Sequence, residues 1–169
     1  MLFILSVIAF LSIIALLGVL AWIDHRYYLL PNIYNFGLFI SFLIFHFATG
    51  WYYLTVEEAC LGAFVGGAFL LIVRFVANVS LKKDTVGLGD VKFLIAAGFG
   101  VGMPNILLVL SFGALLGILH GVILQRFEKS KTGVLPNLMT LNVPAGVGLC
   151  FATAGLICIE FWQWWELFE

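Results

Sequence analysis

Charge is what this chain has least of. Asp, Glu, Lys and Arg make up 10% of its 169 residues, against about 25% in ordinary soluble domains. Hydrophobic residues reach 63%. A soluble chain of this size cannot bury that much apolar surface, so the bilayer is its natural solvent. A formal net charge of −1 argues against nucleic-acid binding. Cysteine is scarce too: Cys60, Cys150 and Cys158 all lie in apolar stretches, are odd in number and form no C-x-x-C pair. That argues against a disulfide framework or a structural zinc site. No Lys or Arg precedes Arg26, and the apolar run before it is too long for a signal-peptide h-region. Met1–Ile23 is therefore expected to persist as a membrane span.

What is present is a series of apolar stretches. Crossing the hydrocarbon core takes about 20 helical residues, and spans are expected near 1–23, 33–49, 56–79, 87–103, 105–124 and 143–165. The fourth is the shortest. The expected fold is all-α, one membrane-embedded domain over residues 1–169 with about six transmembrane helices. Gly100, Gly102 and Pro104 mark a tight turn between the fourth and fifth spans, and residues 126–142 form the longest connection. Basic residues then set the orientation. Arg26, Lys82, Lys83, Lys92, Arg126, Lys129 and Lys131 fall in or beside the odd-numbered loops, and Arg74 can snorkel to the same side. Lys and Arg collect on the cytoplasmic face, so both termini are expected outside. Trp22, Tyr27, Tyr28, Tyr34, Trp51, Tyr52, Tyr53, Trp162, Trp164 and Trp165 cluster at span ends, where they serve as headgroup anchors. The tripeptide Leu-Pro-Asn at 30–32 and 135–137 reads as punctuation, Pro ending one segment and Asn helping to start the next helix.

Ionisable groups in or beside membrane spans are costly and point to function. Asp24 closes the first span and Asp90 opens the fourth, which places both at the cytoplasmic boundary although they are far apart in sequence. Two carboxylates held close do not readily both ionise, which suits them to divide acid and base work on a water that attacks a peptide carbonyl. Such chemistry needs no metal and no cofactor. Asp90 sits at a helix N-terminus and Asp24 at a helix C-terminus, so the helix dipoles favour Asp90 as the base and Asp24 as the acid. Gly87 and Gly89 let the backbone beside Asp90 unwind and approach an extended substrate closely.

Asp24, six residues and then Pro31-Asn32 resembles the first catalytic motif of type IV prepilin leader peptidases. Gly87-Leu88-Gly89-Asp90-Val91-Lys92 resembles their second, G-x-G-D-x-K, and Val143-Pro144-Ala145-Gly146 loosely resembles a later Pro-Phe-Gly-Pro stretch. The resemblance implies an intramembrane aspartyl endopeptidase of the bacterial inner membrane. It implies removal of short basic leaders from pilin and pseudopilin precursors of type IV pilus and secretion systems, at the cytoplasmic face. It assigns catalysis to Asp24 and Asp90 and supporting positions to Gly87, Gly89, Pro31 and Lys92. The implied partners are a membrane-inserted prepilin-like substrate and the lipid bilayer. The large bifunctional members carry an extra cytoplasmic domain that N-methylates the new pilin end. No such stretch is read here, so methylation is not expected. Asn32 stands where an acidic residue often follows the proline, and Ala145 where the family has phenylalanine.

Other polar residues have plainer readings. Lys92, two residues from Asp90, faces away from it on a regular helix and can anchor the span end by snorkelling. His25 is read as interfacial and His46 as structural; His120, near the inner end of the fifth span, is not assigned to the site. Glu57, Glu58, Glu160, Glu166 and Glu169 are read as solvated charges. Asp84 and Glu128 are the only acidic loop residues available to a basic leader. A small transporter would need polar groups through the bilayer midplane, which this sequence nearly lacks, and a non-catalytic scaffold would not need both aspartates.

Overall fold

The computed structural model describes residues 2–81, 87–103, 105–132 and 145–166, and only the backbone of residues 81, 124, 125 and 127–132. Six helices follow one another: α1 (Leu2–Tyr27), α2 (Asn32–Ala48), α3 (Val56–Leu81), α4 (Leu88–Val101), α5 (Asn105–Thr132) and α6 (Ala145–Trp165). The described residues contain no strand. The chain is an all-α, multi-pass membrane protein. Four stretches, Leu2–Tyr27, Val56–Ser80, Asn105–Ile123 and Ala145–Trp165, are long and apolar enough to cross a membrane. At 1.5 Å per residue the 14-residue α4 spans about 21 Å, less than the roughly 30 Å of hydrocarbon.

Local chemistry explains several helix ends. Tyr28 takes a left-handed backbone (φ 54°) and donates its N–H to Asp24 O (2.9 Å), ending α1 with an αL cap. Pro31, without an N–H to satisfy, is the N-cap of α2, and Asn32 is its first helical residue, at the helix start expected for it. Thr55 and Glu58 start α3 with a reciprocal capping box: Thr55 N donates to Glu58 Oε2 (2.7 Å), and Glu58 N donates to Thr55 Oγ1 (3.3 Å).

The helices pack in the order α3–α4–α2–α1–α6–α5, and α4 also touches α5 and α6. This central position covers the short α4 with protein on several sides. Val91, Phe93, Leu94, Ala96, Ala97, Phe99 and Val101 are all buried in protein. Lipid offers no hydrophobic gain for bringing helices together, so close backbone approach and van der Waals contact do that work. At the α3–α4 crossing, a Cβ on Gly98 would meet the Gly62 backbone, and one on Gly62 the Gly98 carbonyl. Gly98→Ala should therefore spread this crossing and cost about 1–3 kcal/mol, measured as reversible unfolding in detergent. An unchanged midpoint would contradict the packing.

α2 and α4 run parallel in register. Asn35 Nδ2 donates to Gly89 O (3.1 Å), and eleven residues further along each helix His46 Nε2 donates to Gly100 O (2.9 Å). His46 thus has the structural role expected of it. Aromatic stacking ties α1 to α6, with the Phe10 and Phe161 rings 4.1 Å apart.

Several expectations need correction. α5 does not stop near residue 124 but continues to Thr132; leaving the hydrocarbon ends an apolar run, and Gln, Arg, Glu and Lys are good helix formers. Gly100 belongs to α4, packed under the Phe42 ring, and leaves the turn to Gly102 (φ 68°). Glu160 is buried, not solvated. Its Oε1 accepts from Asn105 Nδ2 (3.2 Å) at the crossing of α6 with α5. Trp164 is buried too, and Tyr53 stacks on Phe45 (5.9 Å), so neither is a simple headgroup anchor. Lys82, Lys83, Asp84, Pro104, the second Leu-Pro-Asn, Val143, Pro144 and Glu169 lie outside the described residues.

Candidate active site

The C-terminal end of α1 and the His120 turn of α5 meet the N-terminal ends of α2, α4 and α6 at one end of the bundle. Asp24 lies in the last turn of α1 and is 4% exposed. Its Oδ2 accepts the Val147 N–H (3.0 Å), and the Gly146 amide is a second backbone partner. Both amides open α6. The carboxylate therefore caps a helix other than its own, satisfying donors that a helix start leaves unpaired and meeting a positive dipole end. The sequence-based contrast between the two aspartates loses its basis here, because the unfavourable end of α1 is offset by the favourable end of α6.

Asp90 occupies the third position of α4, after the N-cap Gly87. Its carboxylate turns back to the Gly87 amide, the reach of a capping-box acid. The Asp24 and Asp90 carboxylates interact electrostatically, and the buried Cys150 of α6 lies within reach of both. The structure thus brings the two aspartates to one end of the fold, against the start of α6.

The connector between α1 and α2 closes the gap. Leu30 is buried, with its backbone over Gly89 and its side chain over Gly146. A Cβ on Gly89 would lie 2.7 Å from Leu30 O. One on Gly146 would lie 3.0 Å from Leu30 Cδ1 and 2.8 Å from Asp24 Oδ2. Gly89 is therefore needed for close approach inside a helix, not for the unwound strand expected from the sequence. Gly87 has the extended backbone of an N-cap (φ −67°, ψ 140°), and a Cβ there would stand 3.1 Å from Asp90 Oδ2.

Pro31 and Lys92 lie on the α2 side. Lys92 Nζ donates to Asn32 Oδ1 (2.9 Å), so it reaches toward α2, away from the carboxylates. Asn32→Asp should convert this contact to an ion pair at the first position of α2. The unfolding midpoint should rise by the equivalent of about 0.2–1 kcal/mol, with the gain fading as salt is added. A salt-independent change would show that Lys92 is not the partner.

Three neighbours were not assigned to the site from sequence. Gly146 was visible only as part of a loose motif match, Cys150 carried no signal, and His120 lacked a partner. His25 Nδ1 and His120 Nε2 lie 3.1 Å apart, joining α1 to α5 at the mouth of a cleft of about 470 Å³. Among the described residues no three His, Cys, Asp or Glu side chains form a metal-binding group.

The family model described as "Type IV leader peptidase family" matches residues 11–122, a stretch that includes Asp24, Pro31 and the whole Gly87–Lys92 motif. An Escherichia coli protein named "Type 4 prepilin-like proteins leader peptide-processing enzyme" is 32% identical over 107 residues, covering 62% of this chain and 38% of its own length. Proteins named "Prepilin leader peptidase/N-methyltransferase" are similar as well. The one from Dickeya chrysanthemi is 28% identical over 80% of this chain and 44% of its own length. The one from Pseudomonas putida is 31% identical over 68% and 39%. The chain spans about two fifths of the length of these curated relatives. No solved structure matches it. With more than half of its residues matched by the family model, and two boundary aspartates gathered at one end of a helical bundle, the chain belongs to the type IV leader peptidase family.

Proposed function

We propose that this chain is an aspartyl endopeptidase that removes the short basic leader from a type IV prepilin-like precursor, with Asp24 and Asp90 sharing the acid and base work on one water. The observation that carries the proposal is the convergence of these two carboxylates from separate helices, within electrostatic reach of each other, at the end of the fold where α1, α4 and α6 meet. The proton belongs to the pair. One carboxylate, ionised, takes a proton from water as it attacks the scissile carbonyl; the other, protonated, donates to the carbonyl oxygen. Both sit at helix N-termini, one its own and one borrowed, so substrate binding decides which is base and which is acid.

The substrate this site suits is a membrane-inserted precursor whose leader ends where an apolar helix begins. The site lies at a bundle end, so the scissile bond is presented at the border of that helix. Arg26, Lys92 and Arg126, on α1, α4 and α5, occupy the same end, which supports a cytoplasmic site in the inner membrane, six crossings and outward termini. Gly87, Gly89 and Pro31 support the pair by shaping the backbone around it, and Lys92 by fixing α4 to α2.

The test is direct. Purified protein in detergent, incubated with a synthetic precursor carrying a basic leader and an apolar helix, should give leader and mature fragments by mass. Folded protein that leaves a panel of such precursors intact would overturn the proposal. Reagents applied from one side should reach single cysteines placed at positions 24 and 90 from the same side; opposite accessibility would remove the shared site.

A further inference from the structure

His25 and His120 form a polar pair that the peptidase chemistry does not use. His25 stands next to Asp24 at the end of α1, and His120 projects from α5. Their rings meet nearly edge to face, with centroids 5.2 Å apart and planes at 73°, and Nδ1 of His25 lies 3.1 Å from Nε2 of His120. Two imidazole nitrogens bound to one tetrahedral Zn²⁺ at about 2.0–2.1 Å stand roughly 3.3 Å apart. The spacing already present therefore fits the bite of a single ion after a small ring rotation.

The surroundings favour a cation. The Asp24 carboxylate lies within electrostatic reach of both rings. The nearest cation in sequence, Arg26, is committed to aromatic faces, 5.8 Å from the Trp22 and 5.9 Å from the Tyr27 ring centroids. His25 is exposed and His120 partly so, which leaves the outward coordination positions open, while the rest of the cleft that they line is apolar. Imidazole suits zinc, copper and nickel, whereas magnesium and calcium prefer oxygen ligands.

We propose that His25 and His120 form a two-histidine binding site for a divalent transition cation, with Zn²⁺ the best match, that pins the end of α1 to α5 beside the carboxylate pair. Binding needs a lone pair on each facing nitrogen. A proton on either facing nitrogen is transferred to the far nitrogen of the same ring, which frees both lone pairs for the ion. The site is separate from the hydrolytic chemistry, which runs on the carboxylates and water.

The chain contains three histidines, and the third, His46, is buried and bonded to Gly100, so the assignment can be tested cleanly. Tag-free full-length protein in detergent is titrated with ZnCl₂ by calorimetry, with MgCl₂ as the control. The parent should show one saturable Zn²⁺ site and a Zn²⁺-dependent rise in unfolding midpoint; both responses should be lost in His25→Gln and in His120→Gln and absent with Mg²⁺. No saturable Zn²⁺ binding by the parent overturns the proposal, and so does binding that survives both substitutions, for instance through the exposed Cys60 or Cys158. If a variant folds poorly, electron paramagnetic resonance of the Cu²⁺-loaded parent decides instead. Coupling to two imidazole nitrogens supports the site, and coupling to fewer overturns it. None of these readouts requires peptidase activity, so failure of the peptidase reading is seen separately.

Discussion

Asp24→Asn and Asp90→Asn should each slow precursor cleavage by about 10²–10⁴-fold, the share of a rate that a positioned acid or base supplies. Asparagine keeps the size of aspartate but can neither take nor deliver the proton. The double variant should be little slower than the slower single variant, because groups that act as a unit are not additive. Both substitutions should leave the local hydrogen bonds in place. An amide at position 24 can still accept the Val147 N–H through its oxygen, so α6 keeps its cap. An amide at position 90 can still accept from the Gly87 N–H. Both variants should therefore remain folded, with unfolding midpoints near that of the parent. If both folded variants cut at the parent rate, the two carboxylates are not the catalytic pair.

Gly146→Ala should give the second largest loss. Its new methyl would stand 2.8 Å from Asp24 Oδ2, 2.9 Å from Asp24 Cγ and 3.0 Å from Leu30 Cδ1. The methyl would rise from the same turn of α6 whose amides hold the carboxylate, so the carboxylate must shift. A displacement of about 1 Å in a catalytic group can cost about 10²-fold. Gly155→Ala is the matched control. It lies on the same helix, and a Cβ there meets nothing within 4 Å, so cleavage should be unchanged. Equal activity in Gly146→Ala and Gly155→Ala would show that the contact between α6 and Asp24 does not position the carboxylate.

The aspartates themselves were legible because a charge at the edge of an apolar stretch has few inexpensive explanations. Their placement on one side followed from alternating spans and the distribution of Lys and Arg, and the folded chain gathers them at one bundle end. What could not be read is what packs against Asp24. A helix N-terminus supplied from residues 145–147 is a long-range contact with no local pattern, so helix-end reasoning confined to α1 made that carboxylate look unsupported. The same limit hid the meeting of His25 and His120. Glu160 was misread for the opposite reason. It sits among tryptophans near the end of a span, and only the crossing of α5 with α6, which brings Asn105 to it, makes burial tolerable. Glycines at four-residue spacing, Gly62 and Gly66 in α3 and Gly113 and Gly117 in α5, were a readable sign of close helix contact. They line the crossings with α4 and α6.

The two carbonyl bonds made by α2, from Asn35 to Gly89 and from His46 to Gly100, clamp this pair of rods near both ends. Neither rod can slide or swivel alone without leaving a desolvated donor and acceptor behind. Any change in the gap separating the acidic groups is therefore borne by the short tether from Tyr28 to Pro31. In any such change Asp90 would move with α2, to which α4 is bonded, and Asp24 with α6, which holds its carboxylate.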